Sequence, residues 1–135
     1  MTAAALALQK AIYAALATDG GVGALIGDRI YDGAPRNAAF PYVTIGRTSE
    51  TDWSTSTEDG AEHRLTLDVW SRQSGKSECH AIAAAVRAAL HDAALALDGH
   101  ALVNLRCESI DTARDPDGIT FHAVMRLRAV TEPIR

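Results

Sequence analysis

Residues 62–72 alternate apolar and polar side chains with a period of two. Leu65, Leu67 and Val69 fall on one side, and Arg64, Thr66, Asp68, Trp70 and Arg72 on the other. Successive strand side chains point to opposite faces, so this pattern predicts a β-strand with one face in a core and the other toward water. Such a strand needs neighbours on its edges and a second layer over its apolar face. Residues 42–47 predict one neighbour, with Val43 and Ile45 sharing a face. Residues 101–115 predict another, with Val103, Leu105 and Cys107 together against Asn104, Arg106 and Glu108. Ile110 falls out of phase there, which places a bulge at residues 108–110. Residues 119–131 return, with Ile119, Phe121, Ala123, Met125 and Leu127 alternating against Thr120, His122, Val124, Arg126 and Arg128. Between them, Asp115-Pro116-Asp117-Gly118 puts Pro and Gly where a tight hairpin turn needs them.

The covering layer is predicted to be helical. Over residues 2–17, Leu8, Ile12, Ala15 and Leu16 recur at helical spacing, with Leu6 and Tyr13 widening the stripe, and Asp19-Gly20-Gly21 ends the segment. Residues 22–27 form a short apolar turn, residues 30–31 a very short strand, and Asp32-Gly33-Ala34-Pro35 a turn. A second helix is expected over residues 78–92. Its core stripe is Ile82, Val86, Ala89 and Leu90, its wet face His80, Arg87 and His91, and its cap Ser74 or Ser77. The expected fold is therefore α+β, a single domain over residues 1–135. Two helices pack on one face of a mostly antiparallel four-stranded sheet. Residues 49–60 are the most polar and least periodic stretch and are expected to form a long mobile hairpin loop carrying Trp53.

No pattern in the chain suits catalysis or a cofactor. Cys79 and His80 are adjacent on a helix, so their side chains diverge by about 100° and do not form a nucleophile–base pair. The five histidines, His63, His80, His91, His100 and His122, never take ligand spacing and read as solvated surface groups. Asp111, Asp115 and Asp117 around Gly118 lack the closing Glu of a calcium loop. Gly20-Gly21-Val22-Gly23 lacks the Lys-Ser/Thr of a phosphate loop and reads as a helix terminator. The acidic residues between Asp52 and Asp59 sit among serines and threonines, with no apolar surroundings to raise a carboxyl pKa. We therefore expect no catalytic, cofactor-binding or metal residues. A formal net charge of −4 argues against broad binding to a phosphate backbone. Cys79 and Cys107 read as buried thiols in a reducing compartment. No basic leader and no apolar run near 18 residues is visible, so no membrane association is expected.

What stands out is the wet side of the sheet. Trp70 lies there between Asp68 and Arg72, and Arg126 and Arg128 alternate along the last strand. Tryptophan and arginine are enriched where proteins meet proteins. Trp53, Trp70, Arg72, Arg126 and Arg128 are therefore the candidate subunit or partner interface, the other reading of Trp70 being a side chain laid across its own sheet.

Several segments, in order, resemble one family. Residues 22–31, Val-Gly-Ala-Leu-Ile-Gly-Asp-Arg-Ile-Tyr, are similar to a stretch of the tail completion, or tail terminator, proteins of long non-contractile-tailed phages and gene transfer agents. Residues 40–46, Phe-Pro-Tyr-Val-Thr-Ile-Gly, resemble that family's Pro-Tyr-Val strand. Residues 64–71 resemble its central strand, and residues 115–118 with 122–129 its closing hairpin. The resemblance implies a structural virion protein and no enzyme. Its members form a homo-hexameric ring that caps the tail tube, stops its polymerisation and meets the head–tail connector proteins, while DNA passes through the lumen without sequence-specific binding. It implies assembly in the host cytoplasm and then a place in the tail or neck of the particle. A head–tail connector or stopper protein of the same particle is the alternative.

Overall fold

The alternating segment lies at the centre of the molecule. In a computed structural model that describes residues 3–134, the chain runs α1 (Ala4–Thr18), α2 (Gly20–Ile26), β1 (Ile30–Tyr31), β2 (Tyr42–Asp52), β3 (Ala61–Ser71), α3 (Ser77–Leu90), β4 (Ala96–Leu97), β5 (His100–Arg114) and β6 (Phe121–Pro133). The strands form one sheet in the order β1-β2-β3-β6-β5-β4. β3 is zipped to β6 without a slip from Ala61–Thr131 to Ser71–Phe121. Its inward residues Leu65, Leu67 and Val69 therefore lie directly beside Leu127, Met125 and Ala123. Together with Val43 and Leu105 they meet Leu8, Ile12 and Leu16 of α1, Val22 and Ile26 of α2, and Ile82, Val86 and Leu90 of α3 in one buried core.

The sheet has six strands rather than the expected four, and it is mixed, because β1 pairs with β2 in parallel. β1 and β4 are two residues each, too short for any period to show. There are three helices rather than two. Asp19 ends α1 with its backbone N–H on Leu16 and also starts α2, where Val22 N–H donates to its carboxylate at 2.9 Å. The glycine run that read as a terminator is the first turn of this second helix. Gly27, at φ 60°, closes it in a conformation that favours glycine. Thr2, the expected start of the first helix, lies outside the described residues.

The first four residues of the predicted long loop are strand, and the remaining eight form the loop. Ser49, Glu50, Thr51 and Asp52 pair in register with Arg64, His63, Glu62 and Ala61, leaving only residues 53–60 between β2 and β3. Cross-strand hydrogen bonding to β3 holds this polar half, so no apolar alternation is needed to form it. β2 is kinked by a register shift between Ile45 and Thr48. β5 carries two shifts. The one between Cys107 and Ser109 agrees with the predicted bulge, and the one between Leu102 and Asn104 turns Val103 out to solvent. Ile119 is likewise exposed, because the closing strand begins only at Phe121. Leu6 and Tyr13 are exposed too, so the buried stripe of α1 is narrower than the pattern suggested. Neither Ser74 nor Ser77 caps α3. Lys76 precedes its first turn, and Glu78 instead accepts a hydrogen bond from Ser71 Oγ at 2.6 Å. No helix among the described residues is long and apolar enough to cross a membrane.

Candidate assembly surface

The outward face of the sheet divides into an aromatic end and an ionic end. The register that places Trp70 beside Tyr42 on β2 and beside His122 on β6 creates the first. Trp70 and His122 stack with ring centres 3.8 Å apart and planes 12° apart. Tyr42 lies 6.3 Å from Trp70 on its other side, and Tyr31 and Phe40 pack on Tyr42 at 5.8 and 4.9 Å. Trp70 Nε1 donates to Thr44 Oγ1 at 3.0 Å. Thus Trp70 does lie across its own sheet, half-buried. Arg72 extends the patch, with its guanidinium 4.3 Å from the Phe40 ring centre and its Nε donating to Thr120 Oγ1 at 3.1 Å. His122 sits between two carboxylates, Asp68 at 2.7 Å and Asp115 at 3.8 Å. Gly46 belongs to this face as well. A Cβ there would overlap the Thr66 hydroxyl and the Asp68 carboxylate, so any larger residue at this position would have to displace those two side chains.

At the ionic end three arginines have acidic partners. Arg128 Nε and Nη2 both lie 2.7 Å from Glu62, Arg64 is 2.6 Å from Glu108, and Arg126 is bonded to Asp111. Trp53 stands at the foot of the loop, 54% exposed, with the Arg128 guanidinium 5.2 Å from its ring centre. The structure therefore brings Trp53 together with Arg128, and sets Trp70 and Arg72 apart from them at the other end of the face. Sequence reasoning does not find the Trp70–His122–Asp68 arrangement. The alternation puts all three on the wet side, but only the register makes them neighbours.

The titratable groups do not form a reaction centre. Four of the five histidines read as solvated are not exposed: His63 is buried, and His91, His100 and His122 are half-buried. His63, 3% exposed, lies on the inward face of β3 with Nε2 2.9 Å from Thr131 Oγ1. Burial pushes its pKa below the ordinary value, against an opposite pull from Glu50. His91 accepts the Cys107 backbone N–H at 3.0 Å, and His122 is held as described. Burial, reinforced by Glu78, pushes the Cys79 thiol up to about 11, so it has no thiolate character at neutral pH. Cys107, only partly buried, is also raised by desolvation. Among the described residues, no group of three or more His, Cys, Asp and Glu side chains is placed to hold a metal ion. On the helical side, a mainly apolar groove of about 240 Å³ opens between α1 and β2, lined by Leu8, Ile12, Ile45 and Leu65 and also by Gln9, Thr48, Glu50 and His63.

Comparison with known proteins gives this decorated sheet its setting. The profile of the family described as tail completion protein gp17 matches residues 10–132. The chain belongs to the tail completion protein gp17 family. It is 26% identical over 101 residues to the tail completion protein gp17 of Bacillus phage SPP1, covering 75% of each chain. Its fold is similar to the solved structure of SPP1 gp17, at 25% identity and a TM-score of 0.64 over 98% of this chain and 91% of that one. A chain in the virion of a native gene transfer agent particle is more similar still, at 32% identity and a TM-score of 0.90 over 98% and 99%. The protein is thus a tail completion protein of a phage or gene-transfer-agent particle, a structural virion component rather than a member of an enzyme class.

Proposed function

We propose that this tail completion protein is the ring-forming terminator of its particle. Six copies cap the last ring of the tail tube, stop its polymerisation and present the surface to which the head–tail connector binds. The observation that carries this reading is the match, along nearly the whole chain, to a chain of a gene-transfer-agent virion and to a phage tail completion protein. The outer face supports it, since Trp53, Trp70, Arg72, Arg126 and Arg128 offer large contact area and directional bonds to neighbouring copies or to the tube. Arginines already matched by carboxylates, in a chain of net charge −4, suit a lumen that DNA traverses rather than one that grips it. Assembly takes place in the host cytoplasm before the protein enters the neck.

The test is to delete the protein from a particle-producing cell and image the particles. A terminator predicts tails longer than wild type and heads without tails, both restored by complementation. Tails of normal length that merely fail to join heads would instead assign the protein to the connector or stopper position.

A further inference from the structure

The sheet has two open edges, and we propose that they pair with each other between neighbouring copies: residues 46–52 of β2 in one subunit add to residues 109–114 of β5 in the next. This rests on the ring reading above and specifies its subunit contact. On its outer side β2 has a strand neighbour only at Val43 and Thr44, among the described residues. At the other end of the sheet, β4 covers only His100 and Ala101 of β5. The Asp92 N–H then satisfies the Leu105 carbonyl, and His91 takes the Cys107 N–H. Beyond Cys107 that edge too has no strand neighbour among the described residues. Long bare edges invite another strand, and soluble proteins normally block them.

The two edges fit one another in four respects. First, β2 and β5 run in opposite directions, because each step β2-β3-β6-β5 is antiparallel. Copies related by rotation about a ring axis keep their strand directions, so β2 meets its neighbour's β5 as an antiparallel pair.

Second, the bare segments lie at different levels, as a closed ring requires. Ser49 is level with Arg128 on β6 and Asp111 with Val124, four residues away. That offset is roughly 13 Å along the strands, against about 19 Å across four strand spacings. The ratio corresponds to a strand tilt of about 35°, within the range at which sheets close on themselves.

Third, each edge carries half of an apolar contact. Ile110 lies on the helical side of β5, beside Met125, yet is 37% exposed because no helix covers it. The groove walled by Leu8, Ile12, Ile45 and Leu65 opens beside the bare half of β2, on the same side of the sheet. A strand added there lays its helical-side residues over that groove, and Ile110 of the neighbour is the side chain that fills it.

Fourth, Arg47, on the bare half of β2, has no ion pair among the described residues. Its neighbour's Asp111 comes to the same side when Asp111 stands opposite Ser49.

Facing residues of an antiparallel pair come close enough for a disulfide. The test therefore places Ser49→Cys with Asp111→Cys, and separately with Ala113→Cys to allow a two-residue slip, in one chain carrying Cys107→Ser. Oxidation of purified particles is expected to convert most of the protein into a ladder of linked subunits ending at the ring, while each single cysteine gives none. Rings visible in particle images with no ladder from either pair overturn the edge pairing and leave the terminator reading standing. Images with no ring in the neck overturn both. Independently, Ile110→Asp is expected to keep the wild-type melting curve and to be lost from particles. Incorporation at the wild-type level overturns the seat in the groove.

Discussion

His63 couples the stability of the subunit to pH. It is buried against Thr131, and desolvation holds its folded pKa below the ordinary histidine value while Glu50, 3.8 Å away, pulls the other way. A histidine whose folded pKa is depressed takes up a proton more readily in the unfolded chain. Its contribution is therefore intact above the ordinary value of about 6.5 and is lost as pH falls below it. The melting temperature is expected to drop between about pH 7.5 and pH 5.5. His63→Gln should flatten that drop, and Glu50→Gln, which removes the compensating charge, should steepen it. An unchanged slope in His63→Gln, followed by calorimetry across the range, would count against this origin. There is a physical reason why His63 reads as solvated in the sequence. Its place in the alternation with Leu65 and Leu67 already puts it on the inward face, but the hydroxyl that makes its burial tolerable comes from Thr131, at the far end of the chain. The interface candidates differ. The alternation alone places Trp70 and Arg126 on the outer face, yet their partners His122 and Asp111 come from other strands, which only pairing registers reveal.

Elements are legible where a period has room to repeat and illegible where it does not. β3, β6 and α3 each display several repeats of their own spacing, and each forms as expected. β1, β4 and α2 are too short, and the second half of β2 is polar on both faces, held by its register with β3 rather than by burial. Two predictions separate these cases. Leu67 is fully buried between Ile45 and Met125 on the central strand. Leu67→Ala should cost about 2–5 kcal/mol in urea unfolding, and Leu67→Asp should abolish the cooperative transition, because it leaves an unpaired charge in the core. A Leu67→Asp protein that melts like wild type would contradict the packing described. For the hairpin, the ladder holds residues 49–52, while residues 53–60 lie outside it and carry local bonds such as Thr55 N–H to the Glu58 carbonyl at 2.8 Å. In the free subunit, amide exchange is expected to be fast over residues 54–59 and distinctly slower over 49–52. Equal protection of both segments would show that the tip is as ordered as the strand.

At the scale of the whole molecule, the surface that meets a neighbour must be separated from the surface that holds the subunit together. Trp70 is half-buried and stacked on His122, so removing it damages the subunit as well as any contact it makes, and it is a poor probe of assembly. Trp53 and Arg126 are better probes. Trp53 projects from the loop with the Arg128 guanidinium against its ring, and the Arg126–Asp111 pair is exposed, where such pairs contribute about 0–1 kcal/mol. A Trp53→Ala, Arg126→Glu double variant should therefore fold with nearly wild-type stability, as thermal melting of the isolated protein will show. In the producing cell it should nevertheless be depleted from particles. Trp53 supplies contact area that no other residue of the loop can replace, and the carboxylate introduced at position 126 stands beside Asp111 as a like charge on the strand edge. In the ring proposed above, weak contacts suffice because every subunit would have two neighbours and rest on the tube, so losing one contact per interface would be multiplied around the ring. The expected particle phenotype is overlong tails and tailless heads in a strain whose soluble variant is abundant and folded. If the variant instead enters particles at the wild-type level, with tails of normal length joined to heads, the outer-face residues named here are not part of the assembly surface.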